Sequence, residues 1–126
     1  MGQLLERRSR DREALDFYYG VLTQVPRHVE ALGRRAILLA TTDSAQRNLD
    51  EASRLAEEAV VVSGRQDARA LHALGVVQAE QGFFPAAQKS ANEAKSLVRK
   101  DGESDLEETI EHALSRYSAG QPYRKR

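Results

Sequence analysis

The sequence predicts an all-α fold of antiparallel helix pairs laid side by side, and three observations predict it. Alanine, arginine, leucine and glutamate dominate, prolines number three, and no β-branched run is longer than Val60-Val61-Val62. Helix propensity is therefore favourable nearly throughout, and strands have little to form from. Small or aromatic apolar residues recur at offsets i, i+4 and i+7 in Ala14-Tyr18-Val21, Ala52-Ala56-Ala59 and Ala87-Ala91-Ala94, each set lying on one helix face. Each set also follows a second helical pattern, clearest in Leu71, Leu74, Gly75 and Gln78, where Gly75 would let a neighbouring backbone approach closely.

The 126 residues read as one domain. Residues 1–27 form a partial first unit, with helices expected over 2–8 and 10–24 and Pro26 after them. Residues 28–66 form a second unit with helices over 28–40 and 48–62. Its polar stretch Thr41-Thr42-Asp43-Ser44-Ala45-Gln46-Arg47-Asn48 reads as an inserted loop, tolerant of change around Thr42 because it owes little to packing. Asn48 with Glu51 three residues on is the pattern of a capping box opening the next helix. In the third unit, residues 67–101, Asp67 is placed to cap a helix over 67–81, and Pro85 sits in the first turn of a helix over 84–99, where its missing N–H is no loss. Residues 102–119 carry a last helix, 104–118, opened by Ser104 with Glu107 and ended by Gly120 and Pro122; a tail, 120–126, follows. Leu106, Ile110, Leu114 and Tyr117 make one apolar stripe on that helix and leave its other faces polar, as a helix closing the end of a stack requires.

In these features the chain resembles the tetratricopeptide repeat, a helix pair of about 34 residues with a small residue early, an alanine set late and a proline near its end. In the third unit Leu71, Leu74, Gly75, Gly82, Phe84, Ala87, Ala91 and Ala94 match that pattern, while Gln78 stands for the usual aromatic and Arg99 for the proline. The spacing from Ala14 to Ala52 exceeds the repeat by about four residues and that from Ala52 to Ala87 by about one, insertions that fall in the polar loops. The resemblance implies a right-handed superhelical stack of about three repeats, the first truncated, with a C-terminal capping helix. Projected back from Ala14, the pattern puts Gly2 at the small-residue position of a first helix that looks cut. Either the native chain opens on an abbreviated repeat or more chain precedes Met1, and the reading favours the second. A narrower similarity, carried by Tyr117–Arg124, Leu39-Ala40-Thr41, Asp43, Arg47-Asn48 and Ala52, is to the C-terminal repeat regions of certain bacterial proteins, some with an upstream multi-span membrane domain resembling glycosyltransferases. It implies a bacterial setting, in the cytoplasm or, as part of a membrane-anchored protein, on the outer side of the inner membrane.

Composition and motifs narrow the function. Basic and acidic residues are nineteen each, so no net field draws the chain to nucleic acid or anionic lipid. The absence of cysteine removes disulfides, thiolate metal sites and cysteine nucleophiles, and no apolar run reaches the roughly 20 residues of a membrane span. Of the three histidines, His28, His72 and His112, only His112 has a ligand type nearby on its helix, Glu108, and a solvated i, i+4 pair accounts for both. The serines lack a glycine-flanked elbow, and no glycine-rich phosphate loop is present. Arg7-Arg8-Ser9-Arg10-Asp11-Arg12, Arg34-Arg35 and Arg124-Lys125-Arg126 lack the interleaved aromatics of single-strand binders. The expectation is a protein that is no enzyme, with no metal or cofactor, no nucleic-acid partner and no direct membrane insertion.

What remains is the inner surface that such repeats build from their first helices and use to hold peptides. The resemblance carries this role to Glu30, Gly33, Ile37, Ala40 and Thr41 in the second unit, and to Arg69, His72, Val76, Ala79 and Glu80 in the third. The expected groove is shallow, with Ile37 and Val76 in its apolar middle and His72 exposed within it; packing of Ile37 and Val76 between helices is the alternative. Some members clamp the acidic C-termini of chaperones with lysine and asparagine at these positions. Here Gly33, Ile37, His72 and Val76 stand there, so that clamp is missing. The rival readings are self-association through Leu4, Leu5 or the convex face, and an accessory domain of an enzyme lying upstream. Because Ala87 should sit where two helices nearly touch, Ala87→Leu is expected to cost about 1–3 kcal/mol by overpacking. Leu74→Ala should cost about 2–5 kcal/mol by leaving a cavity. Thermal melts in which Ala87→Leu is neutral would contradict this placement.

Overall fold

The computed structural model describes residues 2–42, 48–101 and 104–123, leaving aside the side chains of 2–9, 100 and 101. Those residues form helices and connections, with no strand among them: α1 (Gly2–Gln24), α2 (Val29–Thr41), α3 (Leu49–Val62), α4 (Ala68–Glu80), α5 (Phe84–Asp101) and α6 (Ser104–Ser118). Neighbours in sequence pack against each other in opposite directions. Asn48 N–H donates to the Leu39 carbonyl while Arg35 reaches Glu51, and Lys95 pairs with Glu111 while Arg99 pairs with Glu107, so one index falls as the other rises. Beyond these sequential contacts, α2 touches α4 and α4 touches α6, whereas α1 and α3, or α3 and α5, do not meet among the described residues. The helices therefore lie in two layers, α2-α4-α6 and α1-α3-α5.

Small residues set how close the layers come. Ala52, Ala56, Ala59, Ala87 and Ala94 are fully buried and Ala91 nearly so, as the recurring triplets predict. The first triplet behaves differently: Ala14, Tyr18 and Val21 are only half-buried, and Leu15 is the residue α1 sends into the core. The reason is coverage, since α1 has α2 as its single neighbour while α3 lies against both α2 and α4. Gly75 acts as expected: a Cβ there would stand 3.3 Å from the Ala87 carbonyl oxygen. Gln78 accepts a 2.7 Å hydrogen bond from Ser90 Oγ, joining α4 to α5.

The ends of the helices follow local chemistry. Asp67 caps α4, accepting from the Arg69 and Ala70 amides, and Asn48 caps α3 through the Glu51 amide. The return bond of the capping box is not made there. Asn48 N–H is already given to Leu39, and the Glu51 carboxylate is drawn across to Arg35. Glu107, likewise, is held by Arg99. His28 caps α2 with its ring, Nδ1 accepting from Ala31 N–H at 3.1 Å. Helices α3, α4 and α6 each end in a paired 6→1 and 5→2 hydrogen-bond motif whose penultimate residue has positive φ, met in each case by a glycine: Gly64, Gly82 and Gly120.

Two expectations need correction. The helices anticipated over 2–8 and 10–24 are one, because Ser9-Arg10-Asp11 contains no glycine or proline to stop propagation and α1 runs through. Thr42 is not a free loop residue: it is 7% exposed and its hydroxyl donates to Asp11 Oδ2 at 2.7 Å, tying the end of α2 to α1. The rest of the anticipated insertion, 43–47, including Asp43 and Arg47, lies outside the described residues, as do the side chains of Leu4 and Leu5.

The two helical glycines of this layer give a paired prediction. A Cβ at Gly33 would meet Ala73 Cβ at 3.6 Å, an ordinary contact, so Gly33→Ala should stabilise by about 0.5–1 kcal/mol through helix propensity. Gly75→Ala crowds a backbone oxygen that cannot swing aside, and should destabilise by about 1–3 kcal/mol. Urea denaturation in which both variants gain stability would contradict the α4–α5 contact.

Candidate functional site

The expected groove residues separate into two groups. On α2, Glu30 is exposed and accepts from Arg34 Nε at 2.9 Å, Ile37 is half-buried against the core, and Thr41 donates from its hydroxyl to the Ile37 carbonyl at 2.7 Å. On α4, Arg69 is exposed and Glu80 half-buried. Gly33, Ala40, Val76 and Ala79, by contrast, pack inside the layer, with Val76 and Ala40 at 0% exposure. Helices α2 and α4 approach so closely at Gly33 and Ala73 that the positions between them become contact rather than lining. The hollow with Val76 at its middle is thus closed, and packing accounts for that residue.

His72 also departs from expectation, being buried at 8% exposure instead of standing open. The tail lies against it. Past α6 the chain turns at Gly120, and Arg116 Nε donates to the Pro122 carbonyl at 3.1 Å. That turn delivers the Tyr123 ring edge-to-face onto His72 at 5.4 Å and onto His112 at 5.7 Å, and leaves Tyr123 itself 8% exposed. Tyr123 and His112 were not among the residues the sequence singled out for this surface. The one available signal was an aromatic directly after proline in an otherwise polar tail. His112, paired in sequence with Glu108, faces this ring.

Below the tail, Tyr117 is 1% exposed, and its hydroxyl meets no hydrogen-bond partner among the described residues. Burial, reinforced by the nearby Tyr123 and Glu80, pushes its pKa well above the ordinary tyrosine value, and burial raises that of Tyr123 too. An open cleft beside the layer is lined by Ser63, Gln66, Asp67 and Arg69 over Val98 and Leu106, but the Asp67 carboxylate there is occupied by its cap. The adjacent pair Arg34 and Arg35 is neutralised within the chain by Glu30 and Glu51. Among the described residues no three histidine, cysteine or acidic groups converge as metal ligands, and no helix is long and apolar enough to cross a membrane. Comparison with protein-family models, with curated proteins and with solved structures finds no match to this chain.

The buried phenol predicts alkaline behaviour. With a folded pKa above the unfolded value of about 10, stability is fully present below that pH and is lost as pH rises through it, because the unfolded chain releases the proton first. Tyr117→Phe should be at least as stable as wild type at about pH 7, since it removes a buried unpaired hydroxyl. It should also lose less stability between about pH 9 and 11. Urea midpoints that fall equally for both proteins over that range would refute the assignment.

Proposed function

We propose that this chain is a non-catalytic, tetratricopeptide-like interaction module that binds a polypeptide on the α2-α4-α6 layer. The observation that supports this reading most is the alternation of contacts: α2, the first helix of one pair, touches α4, the first of the next, and α4 touches α6. A surface of this kind suits an extended or helical peptide, engaged by side chains spaced along several helices instead of by one deep pocket. Its accessible part carries Glu30, Ile37, Thr41 and Arg69, a half-buried apolar residue flanked by charges of both signs.

A second reading, self-association, draws on α1. Among the described residues that helix packs against α2 and no other helix, and Phe17 and Tyr19 are 65% and 60% exposed on it. Sedimentation velocity across concentrations separates the two, since a chain that stays monomeric rules out a stable α1 contact between copies.

For the main reading the discriminating variant is Ile37→Glu with Arg69→Glu. Val76→Glu would bury an unpaired charge and test only folding. Affinity capture from the source cell should recover at least about ten-fold less partner with the double variant than with wild type, a loss of about 1.4 kcal/mol. Val61→Glu, on the opposite layer and 72% exposed, should leave recovery unchanged. Equal recovery by the folded double variant would refute the proposed surface.

A further inference from the structure

Tyr123 lies five residues past the end of α6 behind exposed Ala119, Gly120 and Gln121, where an aromatic would ordinarily be solvated. Instead it is buried as deeply as His72, the side chain it covers. Three features put it there. The glycine turn at Gly120 reverses the chain, Arg116 anchors the Pro122 carbonyl, and two imidazole rings, one from α4 and one from α6, receive the phenol at interplanar angles of 77° and 79°. Edge-to-face contacts of this kind add to the apolar burial of the ring.

We infer that the surface where buried His72 and exposed His112 both meet the Tyr123 ring is a socket for the aromatic side chain of an extended polypeptide, and that Tyr123 keeps it closed in cis. This inference rests on the reading of the α2-α4-α6 layer as a polypeptide-binding surface, and it adds the chemistry of the anchor: a tyrosine or phenylalanine carried on non-helical backbone, as Tyr123 is carried after Pro122. A short tether gives the tail an effective concentration on the order of millimolar, so a partner must outcompete it, and its apparent affinity falls by the open fraction. The tail thereby sets a threshold that rejects polypeptides lacking an aromatic anchor.

The test uses the whole 126-residue chain. The chain contains no tryptophan, so Tyr123→Trp supplies a single fluorescent reporter, expected to emit at short wavelength and to resist acrylamide in the folded state. The probe is the blocked peptide Gly-Gln-Pro-Tyr, titrated to several millimolar against Tyr123→Ala and wild type by amide NMR. The peptide should shift the amides around His72 and His112 in Tyr123→Ala, bind wild type and Tyr123→Phe at least about ten-fold more weakly, and lose all effect when its tyrosine is replaced by alanine. A solvent-exposed emission from the folded tryptophan variant, or no binding by folded Tyr123→Ala, would overturn the socket. Equal binding by wild type and Tyr123→Ala would overturn the closure. None of these results bears on the Ile37 and Arg69 surface, whose own failure is read from the capture experiment.

Discussion

The structure depends on the crowding around α4. Four other helices touch it, and a helix enclosed on that many sides can present only small or apolar residues if its neighbours are to approach to the roughly 8–10 Å at which helices pack. Every residue of α4 from Ala70 to Val77 is buried and all but His72 are small or apolar, and a Cβ at Gly75 would stand 3.3 Å from the Ala87 carbonyl oxygen on α5. The alanines of α3 and α5 are the same constraint seen from the other layer. Where a polar side chain remains in contact, as at Gln78, it is held by a hydrogen bond from Ser90.

Polar contacts do a different job. Most ion pairs, including Arg34–Glu30 and Arg65–Glu93, lie at the surface, where each contributes only about 0–1 kcal/mol. Arg35–Glu51 is the exception in placement: the Arg35 side chain is 14% exposed, pairs across the α2–α3 boundary and lies 5.5 Å from the centre of the Tyr19 ring. One guanidinium therefore links three successive helices, α1, α2 and α3.

How far the sequence disclosed the molecule follows from what each residue's environment depends on. The six helices and their caps rest on near neighbours in the chain, so Asp67, Asn48, Pro85 and Gly120 announced the boundaries of α3, α4, α5 and α6. The alanine triplets disclosed packing because a recurring small residue has few other causes. The two helices anticipated over 2–8 and 10–24 are one, because nothing in Ser9-Arg10-Asp11 stops propagation. The candidate surface was least legible. Whether Val76 lines a groove or fills a contact depends on how near α2 comes, and whether His72 is open depends on a tyrosine about fifty residues later. Neither fact is local.

The two ends of the stack handle the same physical problem in different ways. A terminal helix in such an array has a neighbour on one side only and must turn an acceptable face to water. At α6 the apolar stripe of Leu106, Ile110 and Tyr117 is buried, the exposed faces are charged, and the tail folds back to cover the inner margin. At α1 the opposite holds, for Phe17 and Tyr19 remain exposed and the helix has almost no amphipathic character. Two residues apart on a helix, they point to different faces, with Tyr19 beside Arg35 of α2, so they are separate exposed aromatics and not one patch. The Tyr123 ring thus lies over His72 on the α6 side of the α2-α4-α6 layer, while α1, in the other layer, keeps Phe17 and Tyr19 at its surface.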